Sequence, residues 1–371
     1  MKITIIGNGS KSGEINQLAD GGRIKVALYF DILKKEGHDV SLVDLDGWSK
    51  RPLSVIRKIK KGVNSDDVIL IMGGPSGSRV LIPLVNHFNK KKNKRTVFCP
   101  LGIGTLDKLL KNKNEQEVND FIYHHNFQKI VDNKMGKQLR KLSLVIPQNE
   151  ILTNVYRKFY NLDNCSLVPN FRVIDENRIH IKPYELKDDE PLRLLFLSRV
   201  KEDKGILDLV ETIEEINKEK NKAIFSLDIY GEMQLSKEKE EYIYSLKNNH
   251  INYYGIIDRE KVFEVLQKSF MFALPTKYYG EGTPGSLIES LIAGVPVLVS
   301  SFSQAGLLIK DEVDGIIFEL GNKRDLKEKL INIYLSRQNV LKMRENAAKS
   351  GKKFLYSENR NVFLKAILDQ T

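Results

Sequence analysis

The stretch Tyr278–Val299, YYGEGTPGSLIESLIAGVPVLV, constrains the fold of this 371-residue chain more than any other segment. It begins with a run rich in glycine and proline, which favours a loop. Apolar residues then recur at helical spacing over Leu287–Ile292, which predicts a helix. Gly294 and Pro296 predict the end of that helix, and Val295–Val299 predicts a buried strand. The stretch is therefore typical of a loop, a helix and a strand in an α/β protein.

Two carboxylates lie on either side of the predicted helix start. Glu281 falls in the loop, and Glu289 falls about one turn into the helix. The backbone amides of Gly285 and Ser286 lie between them, where a helix N-terminus favours a phosphate. Carboxylates can accept hydrogen bonds from the hydroxyls of a sugar or a ribose. The pattern predicts a nucleotide-sugar site, and the alternative is an ordinary turn with two incidental glutamates.

The spacing of these glutamates also resembles a family signature. Glu281, seven residues, Glu289 and then AGVPV at 293–297 is similar to the signature of retaining glycosyltransferases of the GT-B fold. The most similar group is family four, among the enzymes that build bacterial capsule, O-antigen and exopolysaccharide. The resemblance implies an α/β chain of GT-B fold, with two Rossmann-like domains and a cleft between them.

The length of the chain agrees with that organisation, because 371 residues suggest two α/β domains of ordinary size. Strands are predicted at Lys2–Ile6 and at Ser166–Pro169. The segment Gly73–Ser78 is predicted to be either a tight turn or a place for an acceptor phosphate. A polar loop at 10–20, a helix at 116–128 and a strand at 129–131 are also predicted. The predicted domains are 1–175, an N-terminal Rossmann-like acceptor-binding domain; 190–350, a C-terminal Rossmann-like nucleotide-sugar-binding domain; and 351–371, a C-terminal helix that returns to the N-terminal domain.

A second element of the resemblance follows the predicted strand Leu192–Leu197. Arg199 and Lys204, with a glycine after the lysine, are similar to the family's strand–Arg–(four residues)–Lys–Gly element. The resemblance implies that these cations flank the donor diphosphate. Two fixed cations would offset the charge that grows on a departing nucleotide. The alternative is two exposed surface cations.

The resemblance assigns further roles to single residues. Glu281, Arg199 and Lys204 are the predicted catalytic residues, Glu281 holding hydroxyls of the transferred sugar and Glu289 holding the ribose. Many members of the family have a histidine in the first domain, and this chain has none between His87 and His124. The predicted donor-binding residues are Gly22, Gly231, Tyr254, Ile257, Thr283, Gly285, Ser286 and Glu289.

The charge is unevenly distributed along the chain. Residues 1–180 carry 30 Lys or Arg and 18 Asp or Glu, a balance of +12, whereas 181–371 has a balance of −1. Such a face is attracted to anionic lipid headgroups or to a lipid-diphosphate-linked glycan acceptor, and the alternative is a solvated lysine-rich surface. Nucleic acid is not predicted as a partner, because aromatic residues are not interleaved with the basic runs.

The sequence also bears on compartment and cofactors. Its two cysteines show no pairing pattern, there is no signal peptide, and no run of 18 apolar residues occurs. We therefore expect a cytoplasmic protein that can lie against the inner face of the cell membrane. No metal is expected, since the acidic pair at Asp44 and Asp46 follows a strand end. A weak glycine pattern at Gly7, Gly9 and Gly13 leaves a nicotinamide-dependent oxidoreductase as an alternative.

The resemblance implies a reaction as well. The chain is expected to move a hexosyl or N-acetylhexosaminyl group, with retention of configuration, from a nucleoside-diphosphate sugar. UDP is the expected nucleotide, and the acceptor is a hydroxyl of a lipid-linked glycan in surface polysaccharide synthesis. The alternative is a non-catalytic nucleotide-sugar-binding subunit that supports another transferase.

Overall fold

The computed structural model describes residues 1–9, 21–101, 133–176, 179, 183–246 and 250–369. The loop predicted at 10–20 and the elements predicted at 116–128 and 129–131 lie outside these residues. The chain divides into two compact units. The first comprises Met1–Asn170 and Asn359–Thr371, and the second comprises Phe171–Glu358.

The first unit is built on a parallel sheet of five strands. They are β1 (Lys2–Gly7), β2 (Asp39–Asp44), β3 (Val68–Gly73), β4 (Arg95–Pro100) and β5 (Leu144–Val145). Their order across the sheet is β2-β1-β3-β4-β5, and every pairing is parallel. Apolar runs such as ITII and VILIM are buried along their whole length, as expected for strands covered on both faces.

Helices follow the strands of the first unit. They are α1 (Gly21–Lys35), α2 (Pro52–Ser65), α3 (Pro75–Asn89), α4 (Asn133–Leu139) and α5 (Glu150–Asn154), with a π-helical turn at Val155–Phe159. The segment Gly73–Ser78, predicted as a turn or a place for an acceptor phosphate, contains the start of α3 and not a turn, since proline is favourable at the first position of a helix. The predicted strand at Ser166–Pro169 is not formed, and the chain there makes only a single bridge, between Val145 and Cys165.

The second unit contains a six-stranded parallel sheet. Its strands are β6 (Leu192–Leu197), β7 (Phe225–Tyr230), β8 (Ile251–Gly255), β9 (Met271–Leu274), β10 (Val297–Ser300) and β11 (Gly315–Phe318). The order across the sheet is β11-β10-β9-β6-β7-β8. From β6 the chain runs outward through β7 and β8 on one side, and β9, β10 and β11 follow on the other side, which is the Rossmann arrangement.

Two apolar layers enclose this sheet. Leu194 and Phe196 of β6 belong to one layer, and Leu195 belongs to the other. The alternation follows from the two-residue period of a strand. The covering helices are α6 (Ile206–Glu219), α7 (Lys237–Ser245), α8 (Arg259–Gln267), α9 (Gly285–Ile292), α10 (Ala305–Leu308), α11 (Lys323–Leu335) and α12 (Arg337–Lys352), followed by α13 (Tyr356–Leu368), whose residues from Asn359 belong to the first unit.

Each sheet has a point at which the strand order reverses. In the first unit this point lies between β1 and β3, and in the second it lies between β6 and β9. In open parallel sheets, ligands bind beyond the carboxyl ends of the strands at such a point. Among the described residues, no helix combines the length and apolar character required to cross a membrane.

Candidate functional site

The carboxyl ends of β6 and β9 position the candidate site of the second unit. A short 3₁₀ turn, Glu202–Lys204, follows β6, and the loop that leads to α9 follows β9. Gly205 ends the 3₁₀ turn with φ at +72°, and a Cβ added there would overlap the carbonyl of Pro275. The two strand ends can therefore approach each other only because residue 205 is glycine.

Hydrogen bonds fix the contact between these strand ends. The carbonyl of Asp203 accepts a bond from the Thr276 hydroxyl at 3.1 Å and from the Lys277 amide at 2.8 Å. Lys277 also forms an ion pair with Asp208 at 2.8 Å. The neighbouring Lys204 is thereby held beside the loop that follows β9.

Lys204 and Glu281 form the first ion pair of the site. Lys204 Nζ donates to Glu281 Oε2, and the Thr276 hydroxyl donates to the same oxygen at 3.3 Å. The side chains of Lys204 and Glu281 are only 10% and 14% exposed. An ion pair in such poor contact with water is screened less than a surface pair, so the carboxylate has a defined orientation.

Arg172 and Glu289 form the second ion pair. Arg172 Nε donates to Glu289 Oε1 at 2.6 Å, and Nη1 donates to the carbonyl of Phe171 at 3.1 Å. The side chains of Arg172 and Glu289 are 11% and 21% exposed. The Arg172 backbone bonds to Phe354 and Tyr356 at 2.8 and 2.9 Å, which fixes the point from which its side chain starts.

The start of α9 separates the two pairs along the chain. Pro284 occupies the N-cap position and provides no side-chain hydrogen bond. Gly285 and Ser286 form the first turn and are partly exposed. The first amides of a helix have no partner within it, so this end of α9 can accept an anion.

Arg199 lies just after β6 and is exposed. The amides on either side of it are fixed, since Ser198 donates to the Tyr230 carbonyl at 3.1 Å and Val200 donates to the Glu232 carbonyl at 2.8 Å. Within the described part of the chain, its guanidinium has no ion-pair partner. Arg199 therefore differs from Lys204, whose charge is already matched by a carboxylate.

Thr283 and the loop after β10 lie beside Glu281. The Thr283 hydroxyl donates to Gln304 Oε1 at 3.4 Å, and the Ser303 hydroxyl donates to the Glu281 carbonyl at 3.4 Å. Gln304 is only 1% exposed. The loop after β10 thus supports the segment that carries Glu281 and Thr283.

Tyr254 and Ile257, two of the predicted donor-binding residues, lie at the end of β8 and just after it. Tyr254 is 54% exposed and stacks on Tyr230, with ring centroids 4.9 Å apart and planes inclined by 15°. Burial, followed by the charge of Asp228, raises the pKa of Tyr254. Burial also raises the pKa of Asp228, although Arg193 acts in the opposite direction. A flat aromatic face is therefore available at this edge of the unit.

Gly231 follows β7 with its backbone groups already bonded. Its amide donates to the Gly255 carbonyl at 2.8 Å, and its carbonyl accepts from the Tyr253 hydroxyl at 2.9 Å. A Cβ added at Gly231 would lie 2.6 Å from the carbonyl carbon of Ser198. The absence of a side chain allows the chains after β6 and β7 to meet.

Gly22 and the acidic pair after β2 belong to the first unit. Gly22 is the second residue of α1 and is partly exposed. Asp44 Oδ1 accepts hydrogen bonds from the amides of Gly9 at 3.2 Å and Asp46 at 3.0 Å, which turns the chain after β2. Among the described residues, no group of three or more His, Cys, Asp or Glu is arranged to hold a metal ion.

The structure joins some predicted residues directly and adds one that the sequence did not single out. Lys204 contacts Glu281, and Glu289 lies near the start of α9, in contact with Arg172. Arg172 has no predicted role. An arginine close to a predicted domain boundary is the sole signal in the sequence, and it does not indicate which carboxylate the arginine contacts.

Comparison with known proteins finds a family model that matches the second half of the chain. Residues 177–354 match the model described as "Glycosyl transferases group 1". An uncharacterised glycosyltransferase of Methanocaldococcus jannaschii is 23% identical over 164 residues, covering 44% of this chain and 44% of that protein. The N,N'-diacetylbacillosaminyl-diphospho-undecaprenol alpha-1,3-N-acetylgalactosaminyltransferase of Campylobacter jejuni is 28% identical over 172 residues, covering 46% of this chain and 42% of that protein. These alignments span less than half of either relative, and they support a transferase enzyme.

Solved structures match almost the whole chain. Sucrose-phosphate synthase from Thermosynechococcus elongatus has a TM-score of 0.71 at 15% identity, covering 98% of this chain and 97% of that one. HepE from Anabaena in complex with UDP and glucose has a TM-score of 0.65 at 13% identity, covering 98% of each chain. Together with the two parallel α/β sheets, these likenesses identify the fold as GT-B with two Rossmann-like domains.

Proposed function

We propose that this chain is a retaining glycosyltransferase of the family-four type. It moves a sugar from a nucleoside-diphosphate sugar to a hydroxyl of a lipid-linked glycan during surface polysaccharide synthesis. The observation that carries the proposal is the pair of glutamates Glu281 and Glu289, each matched by a cation, on either side of an uncapped helix start. They lie in the region that matches the glycosyltransferase model, where the loop after β9 enters α9.

The proposed mechanism depends on charge and position. The bond between the anomeric carbon and the donor phosphate breaks, the acceptor oxygen bonds to that carbon on the same face, and the departing phosphate takes the acceptor proton. Arg199, Lys204 and the first amides of α9 stabilise the departing diphosphate. Glu281 holds hydroxyls of the sugar and stabilises positive charge on its ring, while Glu289 holds the ribose.

The pairing of Lys204 with Glu281 adds a step to this scheme. Without donor, the lysine charge is matched by the carboxylate. When a diphosphate arrives, Lys204 can contact phosphate oxygen while Glu281 turns towards the sugar hydroxyls. An ion pair that exchanges partners in this way keeps both groups compensated before and after binding.

The nucleotide, the acceptor and the compartment are proposed from the names of similar proteins and from the charge of the chain. Two structures of HepE are described with UDP, and the Campylobacter relative is named for a diphospho-undecaprenol substrate. These names support UDP as the nucleotide and a lipid-diphosphate-linked glycan as the acceptor. The basic first half of the chain supports a cytoplasmic protein in peripheral contact with an anionic membrane.

A thermal-shift screen against nucleotide sugars tests the proposal. A ligand that binds only the folded protein raises its melting temperature with concentration. The selected donor is then assayed for transfer, and the configuration of the product is read by NMR. Arg199→Ala and Glu281→Ala should each lower turnover on the order of 10²-fold, and near wild-type rates in both variants would refute the assignment.

Metal independence is a separate part of the proposal. The cations that stabilise the diphosphate are Arg199 and Lys204, so turnover should be unchanged by a chelator. Activity that disappears in EDTA and returns with Mg²⁺ or Mn²⁺ would contradict this part alone.

A further inference from the structure

Arg172 extends across the first residue of α9. A Cβ added at Gly285 would overlap Arg172 Nη2 and would lie 2.8 Å from Cζ. The guanidinium therefore fills the space that any side chain at position 285 would require. The guanidinium can lie this close to α9 because Gly285 has no side chain. The starting point of the Arg172 side chain is fixed, since its backbone bonds to Phe354 and Tyr356.

This position is electrostatically unusual. The N-terminal end of a helix carries a partial positive charge, so a cation beside it is unfavourable unless an anion is also present. Glu289 supplies one negative charge, through Oε1 to Nε at 2.6 Å. Nη2 has no acceptor among the described residues, and Pro284 leaves the amides of the first turn without a side-chain cap.

Around the start of α9, hydrogen-bond donor groups therefore outnumber hydrogen-bond acceptors. Arg172 Nη2 and the amides of the first turn of α9 can all donate to an oxygen anion at this place. A phosphate oxygen fits that set, because guanidinium groups and helix N-termini both bind phosphate well. A carboxylate from the protein already occupies Nε, so the remaining face of the guanidinium is the part available to a ligand.

We infer that Arg172 is a donor-binding residue with two functions. Its Nη2 donates to a phosphate oxygen of the donor diphosphate, beside the amides of Gly285 and Ser286. Its Nε holds the Glu289 carboxylate in the orientation that accepts hydrogen bonds from the ribose. The inference rests on the proposed function and adds a third cation, after Arg199 and Lys204, to the diphosphate site.

The inference also gives a reason for glycine at position 285. An alanine there would meet only the end of a flexible side chain, so the backbone of α9 need not move. Gly285→Ala should therefore displace the Arg172 guanidinium while leaving the arginine in the sequence. The two variants Arg172→Gln and Gly285→Ala remove the same contact by different means.

The experiment measures binding of UDP and of inorganic pyrophosphate by calorimetry. Arg172→Gln should weaken the binding of UDP by about 10- to 100-fold, as expected for the loss of a charge-assisted hydrogen bond. It should also weaken the binding of pyrophosphate. Arg172→Lys should recover part of the affinity, since lysine keeps the positive charge but lacks the planar set of donors of a guanidinium. Glu289→Gln should weaken UDP without weakening pyrophosphate, because that side chain contacts the ribose.

Gly285→Ala provides the second arm. It should weaken UDP to a similar extent as Arg172→Gln, and the double variant should be no weaker than either single variant because both remove one contact. Arg324→Gln is the control, since Arg324 is 89% exposed and, among the described residues, forms an ion pair with the neighbouring Glu328 alone, at 3.0 Å. Melting temperatures without ligand show whether each variant is folded.

The outcomes separate this inference from the proposed function. If the wild-type protein binds neither UDP, GDP nor ADP, the proposed function fails and the inference fails with it. If the wild-type protein binds UDP, and folded Arg172→Gln and Gly285→Ala bind UDP and pyrophosphate as tightly as wild type, only the inference is overturned. Equal weakening of UDP and pyrophosphate binding by Glu289→Gln would overturn the assignment of Glu289 to the ribose.

Discussion

Lys204 and Glu281 lie 77 positions apart in the sequence and are paired in the folded second unit. Both are largely removed from water, so each neutralises a charge that would otherwise be costly to bury. Glu289 and Arg172 are related in the same way over 117 positions. Each acidic side chain of the candidate site is therefore compensated by a cation within the folded second unit.

Single and double substitutions of the first pair should separate stability from catalysis. Lys204→Met and Glu281→Gln should each destabilise the protein by about 1–3 kcal/mol, because each leaves a partly buried charge without its partner. The double variant should recover much of that loss but none of the turnover. Urea unfolding followed by circular dichroism measures the first effect, and transfer from the selected donor measures the second.

Lys268→Met is the matched control for that prediction. Lys268 pairs with Glu264 at 2.6 Å, as closely as a buried pair, but the two side chains are 62% and 58% exposed. Its loss should change stability by no more than about 0.5 kcal/mol. Equal effects of Lys204→Met and Lys268→Met would show that burial does not strengthen the site pair.

The sequence singled out both candidate carboxylates and Lys204, but it did not single out Arg172. Glu281 and Glu289 are recognisable because they lie eight positions apart around a predicted helix start. Arg172 could not be assigned, since its contact depends on how the segment after Asn170 meets Phe354 and Tyr356. No local pattern encodes a contact of that range.

At the scale of elements, apolar runs predicted the strands well where both faces are covered. Strands β1, β6 and β9 coincide with such runs within one or two residues. The strand predicted at Ser166–Pro169 was wrong, because this short run has no continuous partner strand to pair with. The turn predicted at Gly73–Ser78 was also wrong, because Pro75 begins α3 despite the surrounding glycines, whereas the acceptor phosphate considered there stays a prediction.

The junction between β6 and α6 gives an element-scale prediction. Gly205→Ala should destabilise the second unit more than Gly321→Ala, although the two glycines have nearly equal φ, +72° and +73°. A Cβ at Gly205 would overlap the Pro275 carbonyl, whereas a Cβ at Gly321 meets nothing within 4 Å. Gly321→Ala should therefore show only the conformational cost, about 1–2 kcal/mol.

Urea unfolding of the two glycine variants provides the measurement. The cost of Gly205→Ala should exceed that of Gly321→Ala, and the variant should also lose donor-dependent stabilisation, since Lys204 precedes the substituted residue. Equal urea midpoints for Gly205→Ala and Gly321→Ala would mean that Pro275 moves away easily and that the ends of β6 and β9 are not fixed.

Helix α13 gives a second prediction at this scale. Phe363 is fully buried against Tyr29, with ring centroids 4.6 Å apart, while the adjacent Val362 is 46% exposed. Arg95 further bonds to the carbonyls of Ala366 and Ile367, each at 2.8 Å. Phe363→Ala should cost about 3–5 kcal/mol through the cavity that it leaves.

Fluorescence of Trp48 measures that cost, because Trp48 is the only tryptophan of the chain and lies in the first unit. Val362→Ala removes a side chain from the same turn of α13 and should leave the urea midpoint nearly unchanged. A comparable loss in both variants would show that α13 contributes through its helical backbone rather than through Phe363.

At the scale of the whole molecule, the positive charge is concentrated in the first half of the sequence. Helix α2 presents Arg57, Lys58, Lys60 and Lys61, all of them exposed, and Leu53 at its start is 70% exposed. Basic residues with exposed apolar neighbours are attracted to anionic lipid surfaces. The fold alone does not reveal this property, since charge on a surface has little effect on which sheet forms.

Vesicle sedimentation tests the charge asymmetry. The protein should bind vesicles containing anionic lipid at low salt, release from them at high salt, and ignore neutral vesicles. Replacing Lys58, Lys60 and Lys61 with Gln should lower partitioning on the order of 10²-fold, at about 1 kcal/mol for each lysine. The control replaces Lys218, Lys220 and Lys222 with Gln, since these lysines are exposed in the second unit. An identical loss of partitioning in both variants would contradict membrane binding through helix α2.

The division of the chain has a consequence for synthesis on the ribosome. The first unit includes residues that follow the second unit in the sequence, from Asn359 onwards. Phe363 and Ile367 are fully buried there, so the amino-terminal sheet lacks part of its apolar cover throughout translation of Phe171–Glu358. The half that is made first is thus completed last, once the residues from Asn359 onwards have been synthesised.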